Sequence, residues 1–382
     1  VYKRQLQGVV DATGVAIRYT GTRDATVQAN VAVEAGNQPS DIHMIPQPGR
    51  LAGYAERGLL TPIPQETLDG SLAEVSDVFL GFGTVDGTPY GIPVKADVKS
   101  FVWYSPAAFA ENGYEIPQTL DELIALQETM KENGQTPWCI GIESGDATGW
   151  VFTDWMEDLF LRFHGPEEYA KWPTNEIPFD DPKVKEVAEY VAEIWFDDAN
   201  VLGGRDSIST TGFRESVLPV LDGECMMQRQ AAFAGSWLVN DGGATLGADG
   251  DANIFYFPVR DDTYGNVVLG GANIAVAFND NPATMAVFDW MGSVEAAEAR
   301  IAAQGGGYTS PNGGVEASVY PSDIDQTIAQ TLLNADGFGF DASDDMPSEV
   351  NQEFWKSGTD YVSGAIDVDT FLATVEAQWG DG

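Results

Sequence analysis

A strand, a helix and a second strand follow one another near the start of the chain, and this order constrains the fold most. Residues 15–19 (Val-Ala-Ile-Arg-Tyr) are β-branched and aromatic, which predicts a short strand. A helix is predicted from Asp24 to Ala35, ending at Gly36, and residues 39–45 predict the next strand. Strands that are joined through a helix run parallel. We therefore predict an α/β fold whose ligand-binding loops follow the carboxyl ends of parallel strands.

The length and charge of the chain narrow the class of protein. Its 382 residues exceed one compact core and predict two lobes. Asp and Glu total 59 against 19 Lys and Arg, a formal net charge of -40. Such a surface repels phosphates, so we expect no nucleic-acid partner and no binding to anionic lipids. The sequence also lacks a run of about 18 apolar residues, the length that spans a membrane.

Cysteine and histidine usage argues against metal and redox sites. Cys139 and Cys225 are the two cysteines of the chain, and neither belongs to a Cys-x-x-Cys motif. His43 and His164 lie far apart in sequence. We expect no metal and no cofactor. For the cysteines, two buried thiols and one disulfide both stay open.

Two tryptophans follow glycine-containing segments and are candidates for a flat apolar binding surface. Trp237 ends the tripeptide Gly-Ser-Trp after an apolar run that predicts a strand. Trp150 ends the polar loop 144–150, before a helix predicted from Thr153. One face of a sugar ring is apolar and suits an aromatic ring, but large aromatic side chains also fill protein cores. For Trp237 alone, both interpretations stay open.

Polar residues in two other segments are candidate hydrogen-bonding groups. Gln47 follows the strand predicted at 39–45, at the edge of the sheet where ligands bind, although ordinary turn formation explains it equally well. Asp97 lies in the charged stretch from Lys95 to Lys99, between two extended runs. If the chain crosses between lobes there, these charges line a cleft.

Asp154 and Asp158 lie one helical turn apart. Glycoside hydrolysis requires two carboxylates across one bond, so the pair raises the question of catalysis. Acids in the first turns of a helix also complement its dipole and stay solvated. We expect the solvated arrangement.

Short motifs occur along the chain in an order and spacing typical of one family. They are Gly-Asn-Gln-Pro-Ser-Asp-Ile at 36–42, Pro-Gln-Pro-Gly at 46–49, Tyr-Gly-Ile-Pro-Val-Lys-Ala-Asp-Val-Lys-Ser at 90–100, Ala-Thr-Gly-Trp at 147–150, Gly-Ser-Trp at 235–237 and Tyr-Thr-Ser-Pro-Asn at 308–312. Over nearly its whole length the chain resembles the family 1 extracellular solute-binding proteins of ABC importers, a family with maltose-binding and α-glucoside-binding members.

The resemblance implies a two-lobe periplasmic-binding-protein fold of type II, with the ligand cleft between the lobes. The first lobe would comprise residues 1–102 and 268–307, and the second lobe residues 103–267. Residues 308–382 would supply a hinge and C-terminal helices on the second lobe. Because relatives begin with a further strand and helix, we expect the sheet of the first lobe to lack its first strand.

The resemblance also assigns ligand-binding roles by motif. The residues concerned are Gln47, Asp97, Glu143, Trp150, Trp237, Gly271, Tyr308 and Asn312. The two tryptophans would cover the apolar face of a sugar, and the carboxylates and amides would bind its hydroxyl groups. Cys139 and Cys225 would form a disulfide between neighbouring strands of the second lobe, which export from the cytoplasm permits.

The implied function is the capture of an oligosaccharide, with an α-glucoside disaccharide as the expected ligand, for delivery to an ABC permease. We expect a monomer in the periplasm or outside the cell, free or lipid-anchored; the sequence shows no secretory signal. One alternative is a binding protein for another small solute, such as a different sugar class or a polyamine. The other is a carbohydrate-active enzyme that uses Glu143 with Asp154 or Asp97.

Overall fold

The chain folds into two units. A computed structural model describes residues 2–22, 25–304 and 306–380. Unit 1 comprises residues 1–97 and 271–321, and unit 2 comprises residues 98–270 and 322–382. The boundaries predicted from the sequence were 102, 267 and 307. The largest difference concerns residues 308–321, which group with unit 1 rather than with the C-terminal helices.

Both units contain helices and strands. The α-helices are α1 Tyr2–Thr13, α2 Ala25–Glu34, α3 Pro48–Glu56, α4 Gln65–Asp69, α5 Asp77–Gly81, α6 Pro106–Asn112, α7 Leu120–Glu132, α8 Trp150–Tyr169, α9 Pro182–Trp195, α10 Ala234–Asn240, α11 Pro282–Met291, α12 Val294–Gln304, α13 Asp323–Leu333, α14 Ala342–Asp345, α15 Ser348–Val362 and α16 Val368–Glu376. The strands are β1 Ile42–Ile45, β2 Thr84–Val85, β3 Thr88–Pro89, β4 Gly91–Val98, β5 Phe101–Tyr104, β6 Met227–Arg229, β7 Asn253–Tyr256, β8 Val267–Ala277 and β9 Gly337–Phe340.

The start of the chain differs from its prediction. The strand predicted at 15–19 is wrong, because residues 14–22 have no regular secondary structure. The next helix, α2, begins at Ala25, while Asp24 lies outside the described residues. Gly36 follows the helix with a φ of 72°, the left-handed conformation expected of a C-terminal glycine. Because strand propensity depends on context, a strand-like composition does not by itself produce a strand.

The sheet of unit 1 has β8 at its centre. Its strand order is β1-β8-β4. β1 pairs antiparallel with β8, with Ile42 opposite Ala277, so the parallel pairing predicted for β1 is wrong. At Gly91, the first residue of β4, a Cβ atom would lie 2.4 Å from Ile274 and 2.8 Å from Leu51. Only glycine therefore allows β4 to lie this close to β8.

The sheet of unit 2 has β5 at its centre. β6 and β7 pair antiparallel with its two edges, and Val102 lies opposite both Arg229 and Phe255. In the same unit, β9 pairs parallel with residues 267–270 of β8. α8 and α9 pack beside the sheet, and the core holds Trp155 at 1% exposure.

Local signals predict the helix termini of unit 2 well. Thr119 and Glu122 form the capping box that starts α7. α8 begins at Trp150, three residues before the predicted start, and is interrupted at Gly165, where φ is 79°. Residues 137–143 have a composition that predicts a strand, but in the described chain they make only isolated bridges, through Trp138 and Glu143.

Candidate functional site

Four aromatic side chains of unit 2 lie together in what we call the aromatic cluster: Trp150, Phe213, Phe233 and Trp237. The Trp150 ring meets Phe213 edge-on at a centroid distance of 5.1 Å and Phe233 at 6.2 Å. The Trp237 ring lies 5.4 Å from Phe213 and 5.0 Å from Phe233. All four side chains are half-buried, so each keeps exposed aromatic surface. The fold thus joins two tryptophans that are 87 positions apart in the printed sequence.

Gly149 determines where the Trp150 ring lies. The φ of Gly149 is 116°, a conformation that favours glycine. A Cβ atom on Gly149 would lie 2.2 Å from the carbonyl oxygen of Trp355, so α15 approaches the backbone as closely as glycine alone permits. The hydroxyl of Thr153 donates to the carbonyl of Trp150 at 3.0 Å. These contacts fix the first turn of α8.

Trp237 belongs to a helix rather than to the end of a strand. β6 ends at Arg229, and Trp237 is the fourth residue of α10. Gly235 lies against β5, since a Cβ atom there would be 2.9 Å from the Trp103 ring. Trp237 packs against the core residues around Leu238 and stays half-buried. It therefore combines contact with the core and an exposed surface.

Two cations lie over the tryptophan rings. The Cζ atom of Arg214 is 5.7 Å from the centroid of Trp237, and the Nζ atom of Lys99 is 5.5 Å from that of Trp150. Both distances are typical of cation–π contacts. Arg214 Nε donates to Asp241 Oδ2 at 2.8 Å, which holds the guanidinium in place.

Glu143 is linked to the aromatic cluster through the backbone. Its N–H donates to the carbonyl of Thr211 at 3.0 Å, and its carbonyl accepts from the N–H of Phe213 at 3.1 Å. Glu143 Oε1 accepts from the N–H of Gly145 at 2.9 Å. The predicted acid is therefore adjacent to the segment that carries Phe213. The sequence prediction omits Phe213, Phe233 and Arg214, because no local signal connects their segments to Glu143 or Trp150.

Two buried polar atoms in unit 1 lack a hydrogen-bond partner among the described residues: Gln47 Oε1 and Arg50 Nε. Gln47 precedes α3 without capping it, and Arg50 lies in the first turn at 7% exposure. An unpaired buried polar group costs about 1–3 kcal/mol, so both atoms are candidates for ligand hydrogen bonds. Burial and the neighbouring Arg50 lower the pKa of His43, which favours its neutral form. The sequence prediction does not include Arg50. Its position three residues after Gln47, a predicted ligand-binding residue, is the feature of the sequence that indicates it.

Asp97 is held by two partners within unit 1. It forms an ion pair with Lys95, and Asn273 Nδ2 donates to its Oδ2 at 3.1 Å. Gly271 is buried in β8, two residues before Asn273. The carboxylate of Asp97 therefore has a fixed orientation and low exposure, 9% for the residue.

Tyr308 and Asn312 use their polar groups inside unit 1. The hydroxyl of Tyr308 donates to the carbonyl of Val94 at 2.7 Å. Asn312 Nδ2 donates to the carbonyl of Gly292 at 2.9 Å, and its Oδ1 accepts from the N–H of Gly314 at 2.9 Å. Both side chains are buried. To bind a ligand they would have to exchange these partners.

The expectation that Asp154 and Asp158 are solvated is wrong, because they are 1% and 0% exposed. Lys99 Nζ donates to Asp154 Oδ1 at 2.7 Å, whereas Arg229 Nη2 donates to Asp158 Oδ2 at 2.6 Å. Protein packs around this part of α8, so both carboxylates are shielded from water. The two acids belong to what we call the buried charge network: Lys99, Asp154, Glu157, Asp158, Arg162, Arg229 and Asp341.

Three carboxylates of this network have the spacing of a metal site. Oxygens of Asp154, Glu157 and Asp341 lie within 4.8 Å of one another. The ammonium of Lys99 binds two of the three, Asp154 and Asp341. We therefore assign the compensating positive charge at this place to Lys99 and derive no metal centre from it.

A cavity of about 600 Å³ in unit 2 lies on another part of the surface. It is lined by α9 residues together with Phe163 and Arg260, and it contains no residue of the aromatic cluster. The ion pair between Arg260 and Glu186, with an N–O distance of 3.1 Å, lies at this cavity. None of the residues that line this cavity is among the predicted ligand-binding residues.

Cys139 and Cys225 form a disulfide in unit 2, with their Cα atoms 5.5 Å apart. Both residues are buried. The N–H of Cys139 also donates to the carbonyl of Met227 at 2.9 Å. The bond thus joins the segment that leads to Glu143 with the segment that leads to β6 and α10.

The family of the chain follows from a match along most of its length. The model for bacterial extracellular solute-binding proteins matches residues 3–298. The chain belongs to this family. The protein, called the binding protein below, is 38% identical to the alpha-glucosides-binding periplasmic protein AglE of Rhizobium meliloti, over 97% of this chain and 82% of that protein. It is 35% identical to the osmoprotective compounds-binding protein GgtB of Synechocystis sp., over 99% of this chain and 88% of that protein.

Solved structures show the same fold at lower sequence identity. The bacterial solute receptor AcbH matches the binding protein with a TM-score of 0.86 and 20% identity, over 99% of this chain and 94% of that chain. A chitin oligosaccharide binding protein matches with a TM-score of 0.83 and 20% identity, over 98% and 93% of the two chains. The binding protein therefore has the predicted two-lobe α/β fold of periplasmic binding proteins.

Membership of the family defines the general role. The binding protein is a solute-binding component of an ABC importer, a class that takes up sugars or similar solutes, and it is not an enzyme. Its partners are a solute and a membrane permease, and it acts in the periplasm or outside the cell. No helix within the described residues is long and apolar enough to cross a membrane. Because the chain belongs to a family of solute-binding proteins, the alternative of a carbohydrate-active enzyme is wrong.

Proposed function

We propose that the binding protein captures an α-glucoside disaccharide and delivers it to its permease. The observation that carries the proposal is the aromatic cluster, in which Trp150 and Trp237 both keep exposed ring surface beside Phe213 and Phe233. Binding sites for small molecules combine such aromatic walls with a few polar groups of fixed orientation. The backbone of Glu143 is hydrogen-bonded to that of Phe213 in the cluster. The carboxylate of Glu143 would accept hydrogen bonds from hydroxyl groups of the sugar.

The charges near the aromatic cluster favour a neutral ligand. Arg214 is paired with Asp241, and Lys99 is paired with Asp154 and Asp341. Cations that already have carboxylate partners add little net charge. A polyamine carries several positive charges and would require several carboxylates next to the rings, whereas the proposal places one, Glu143, there. A neutral sugar therefore fits this chemistry better than a polyamine.

Gln47, Arg50 and Asp97 are the candidate hydrogen-bonding groups of unit 1. Gln47 Oε1 and Arg50 Nε are buried without described partners, and a sugar hydroxyl can both donate and accept. Asp97 is the third group, with its orientation set by Asn273. Gly271, Tyr308 and Asn312 remain predictions from the family resemblance.

Two relatives indicate two classes of ligand. The 38% identity to a protein named for α-glucosides supports the proposed disaccharide. The 35% identity to a protein named for osmoprotective compounds favours a second candidate, a small osmoprotective solute. Both candidates are compatible with a neutral ligand on an aromatic surface.

Titration of tryptophan fluorescence with maltose and cellobiose tests the proposal. The two disaccharides differ only in the configuration of the glucosidic bond, so cellobiose is a matched control. We expect saturable quenching by maltose and a weaker or absent response to cellobiose. A response to neither sugar, together with saturable binding of an osmoprotective solute, would replace the first candidate by the second.

A further inference from the structure

The buried charge network contains more carboxylates than cations. Its four carboxylates are Asp154, Glu157, Asp158 and Asp341, and its three cations are Lys99, Arg162 and Arg229. Each of the seven residues is less than a tenth exposed. An uncompensated charge in such surroundings is costly, and protonation of a carboxylate is the usual remedy. The geometry identifies which carboxylates share the proton.

Asp158 is fully engaged as an anion. Its oxygens accept from Arg162 and from Arg229 Nη2, the latter at 2.6 Å. The hydroxyl of Ser100 donates to Asp158 Oδ1 at 2.9 Å. Two guanidinium groups and a hydroxyl therefore engage both oxygens of this carboxylate.

Asp341 is engaged in the same way. It accepts from Lys99, from the hydroxyl of Ser343 at 2.8 Å and from the N–H of Asp344 at 3.1 Å. Burial acts to raise the pKa of Asp341, but the contact with Lys99 and these hydrogen bonds outweigh it and hold the pKa below its usual value. Asp341 therefore stays ionised near neutral pH.

Asp154 and Glu157 remain, and carboxylate oxygens of the two lie within 4.8 Å of each other. Asp154 Oδ2 is buried without a described hydrogen-bond partner. Glu157 accepts from the N–H groups of Ala342 and Ser343 at 3.1 and 3.0 Å. Burial raises the pKa of Asp154 to about 7, against the effect of Lys99. Burial and the neighbouring carboxylates of Asp341 and Asp154 raise the pKa of Glu157 as well.

Other titratable groups surround the pair. Tyr169 donates to the carbonyl of Phe340 at 2.6 Å, and its pKa is raised by burial and then by Glu157, so it stays a neutral phenol. Burial and Asp341 raise the pKa of Asp345 to about 6. Asp345 therefore titrates nearby, and Asp344 adds a further carboxylate near Lys99.

The pair is connected to the aromatic cluster. Asp154 lies one helical turn after Trp150, and its partner Lys99 lies over the Trp150 ring at 5.5 Å. The hydroxyls of Thr153 and Ser343 are 3.2 Å apart, which also links the first turn of α8 to the segment that carries Asp341. A change of charge at Asp154 therefore acts on the cation that contacts Trp150.

We propose that Asp154 and Glu157 share one proton near neutral pH and that Asp154, through Lys99, positions the ring of Trp150. Loss of the proton adds a negative charge beside Lys99 and draws its ammonium towards the carboxylates, away from the ring. The role of Trp150 in solute binding rests on the proposed function, whereas the shared proton and the position of the ring do not. Asp154 is thus a positioning residue.

The test is a pH titration of tryptophan fluorescence without any solute, from about pH 5 to about pH 9. We expect a transition with a midpoint of about 7 in the unmodified protein, the pKa to which burial raises Asp154. The transition should disappear in Asp154→Asn and in Trp150→Phe and persist in Trp237→Phe. Persistence in Asp154→Asn, or absence in the unmodified protein, would overturn the proposal. Because no sugar is present, failure here differs from failure of maltose to bind.

The pH dependence of stability provides a second readout. In the unfolded chain Asp154 loses its proton near pH 4, but in the folded chain only near pH 7. The free energy of unfolding should therefore fall as the pH rises between these values and level off above them. Asp154→Asn and Glu157→Gln, measured by urea unfolding, should each reduce this fall. An unchanged slope in both variants would contradict a shared proton, and Glu157→Gln keeps the test available if Asp154→Asn does not fold.

Discussion

The first residue of α8 and the two turns that follow it have opposite environments. Trp150 is half-buried beside Phe213 and Phe233, whereas Asp154 and Asp158 are 1% and 0% exposed. The sequence makes Trp150 a candidate for an exposed binding surface, but it also predicts solvated carboxylates at Asp154 and Asp158. The difference shows that the surrounding segments decide burial. The aromatic residue meets other rings, and the acids meet Lys99 and two arginines.

Removal of Asp158 should have the largest effect. The variant Asp158→Ala leaves Arg162 and Arg229 buried without their carboxylate, and we expect a loss of about 3–5 kcal/mol in the free energy of unfolding. Asp369→Ala is the control, because Asp369 forms an exposed ion pair with Lys185 and should change stability by less than about 1 kcal/mol. Equal effects in urea unfolding would remove the distinction between the buried and exposed pairs.

Gly149→Ala should have the next largest effect. The left-handed backbone and the overlap of a Cβ atom with the Trp355 carbonyl together predict a loss of about 2–4 kcal/mol. Gly243→Ala is the matched control, because Gly243 has a φ of 67° with no atom within 4 Å of a Cβ. We expect about 1 kcal/mol there, from the backbone alone. If thermal or urea unfolding shows the same loss for both, contact with α15 does not fix Trp150.

Trp237→Ala tests the aromatic cluster as a binding surface. We expect the affinity for the disaccharide that binds best to weaken by about 1–3 kcal/mol, the size of one large apolar contact. Trp379→Ala removes a half-buried tryptophan of unit 2 that lies outside the cluster and should leave affinity unchanged. Calorimetric titration distinguishes them. Unchanged affinity in Trp237→Ala would assign Trp237 to the core alone.

Asp241→Asn should have the smallest effect. It weakens the exposed pair with Arg214, and so loosens the cation over Trp237, for an expected loss of affinity below about 1 kcal/mol. Glu34→Gln breaks an exposed pair in unit 1 and is the control. A loss larger than that of Trp237→Ala would mean that Arg214 contacts the solute directly.

Local patterns predicted the features that depend on a few neighbouring residues. The helix end at Gly36 and the capping box at Thr119 follow from the backbone needs of helix termini. The motifs at 36–49, 90–100 and 147–150 predicted the family and its fold, because their order and spacing along the chain are typical of that family. Trp155 in the core also follows from its apolar neighbours on α8.

Pairings between distant segments could not be predicted in this way. β1 pairs antiparallel with β8, although the nearby pattern indicates a parallel unit. Arg50 became a candidate because its Nε is buried without a described partner, a fact about its surroundings rather than its sequence. Phe213 joined the site through its backbone bond to Glu143.

The sequence by itself determined a two-lobe solute-binding fold and the positions of Trp150 and Trp237 as candidates. The tertiary structure decided that these rings lie together in one cluster and that Asp154 and Asp158 are buried with counter-charges. The physical reason is that aromatic contact and desolvation depend on atoms brought from distant positions. The sequence specifies the chemical groups of each side chain, whereas packing determines which other groups each side chain contacts.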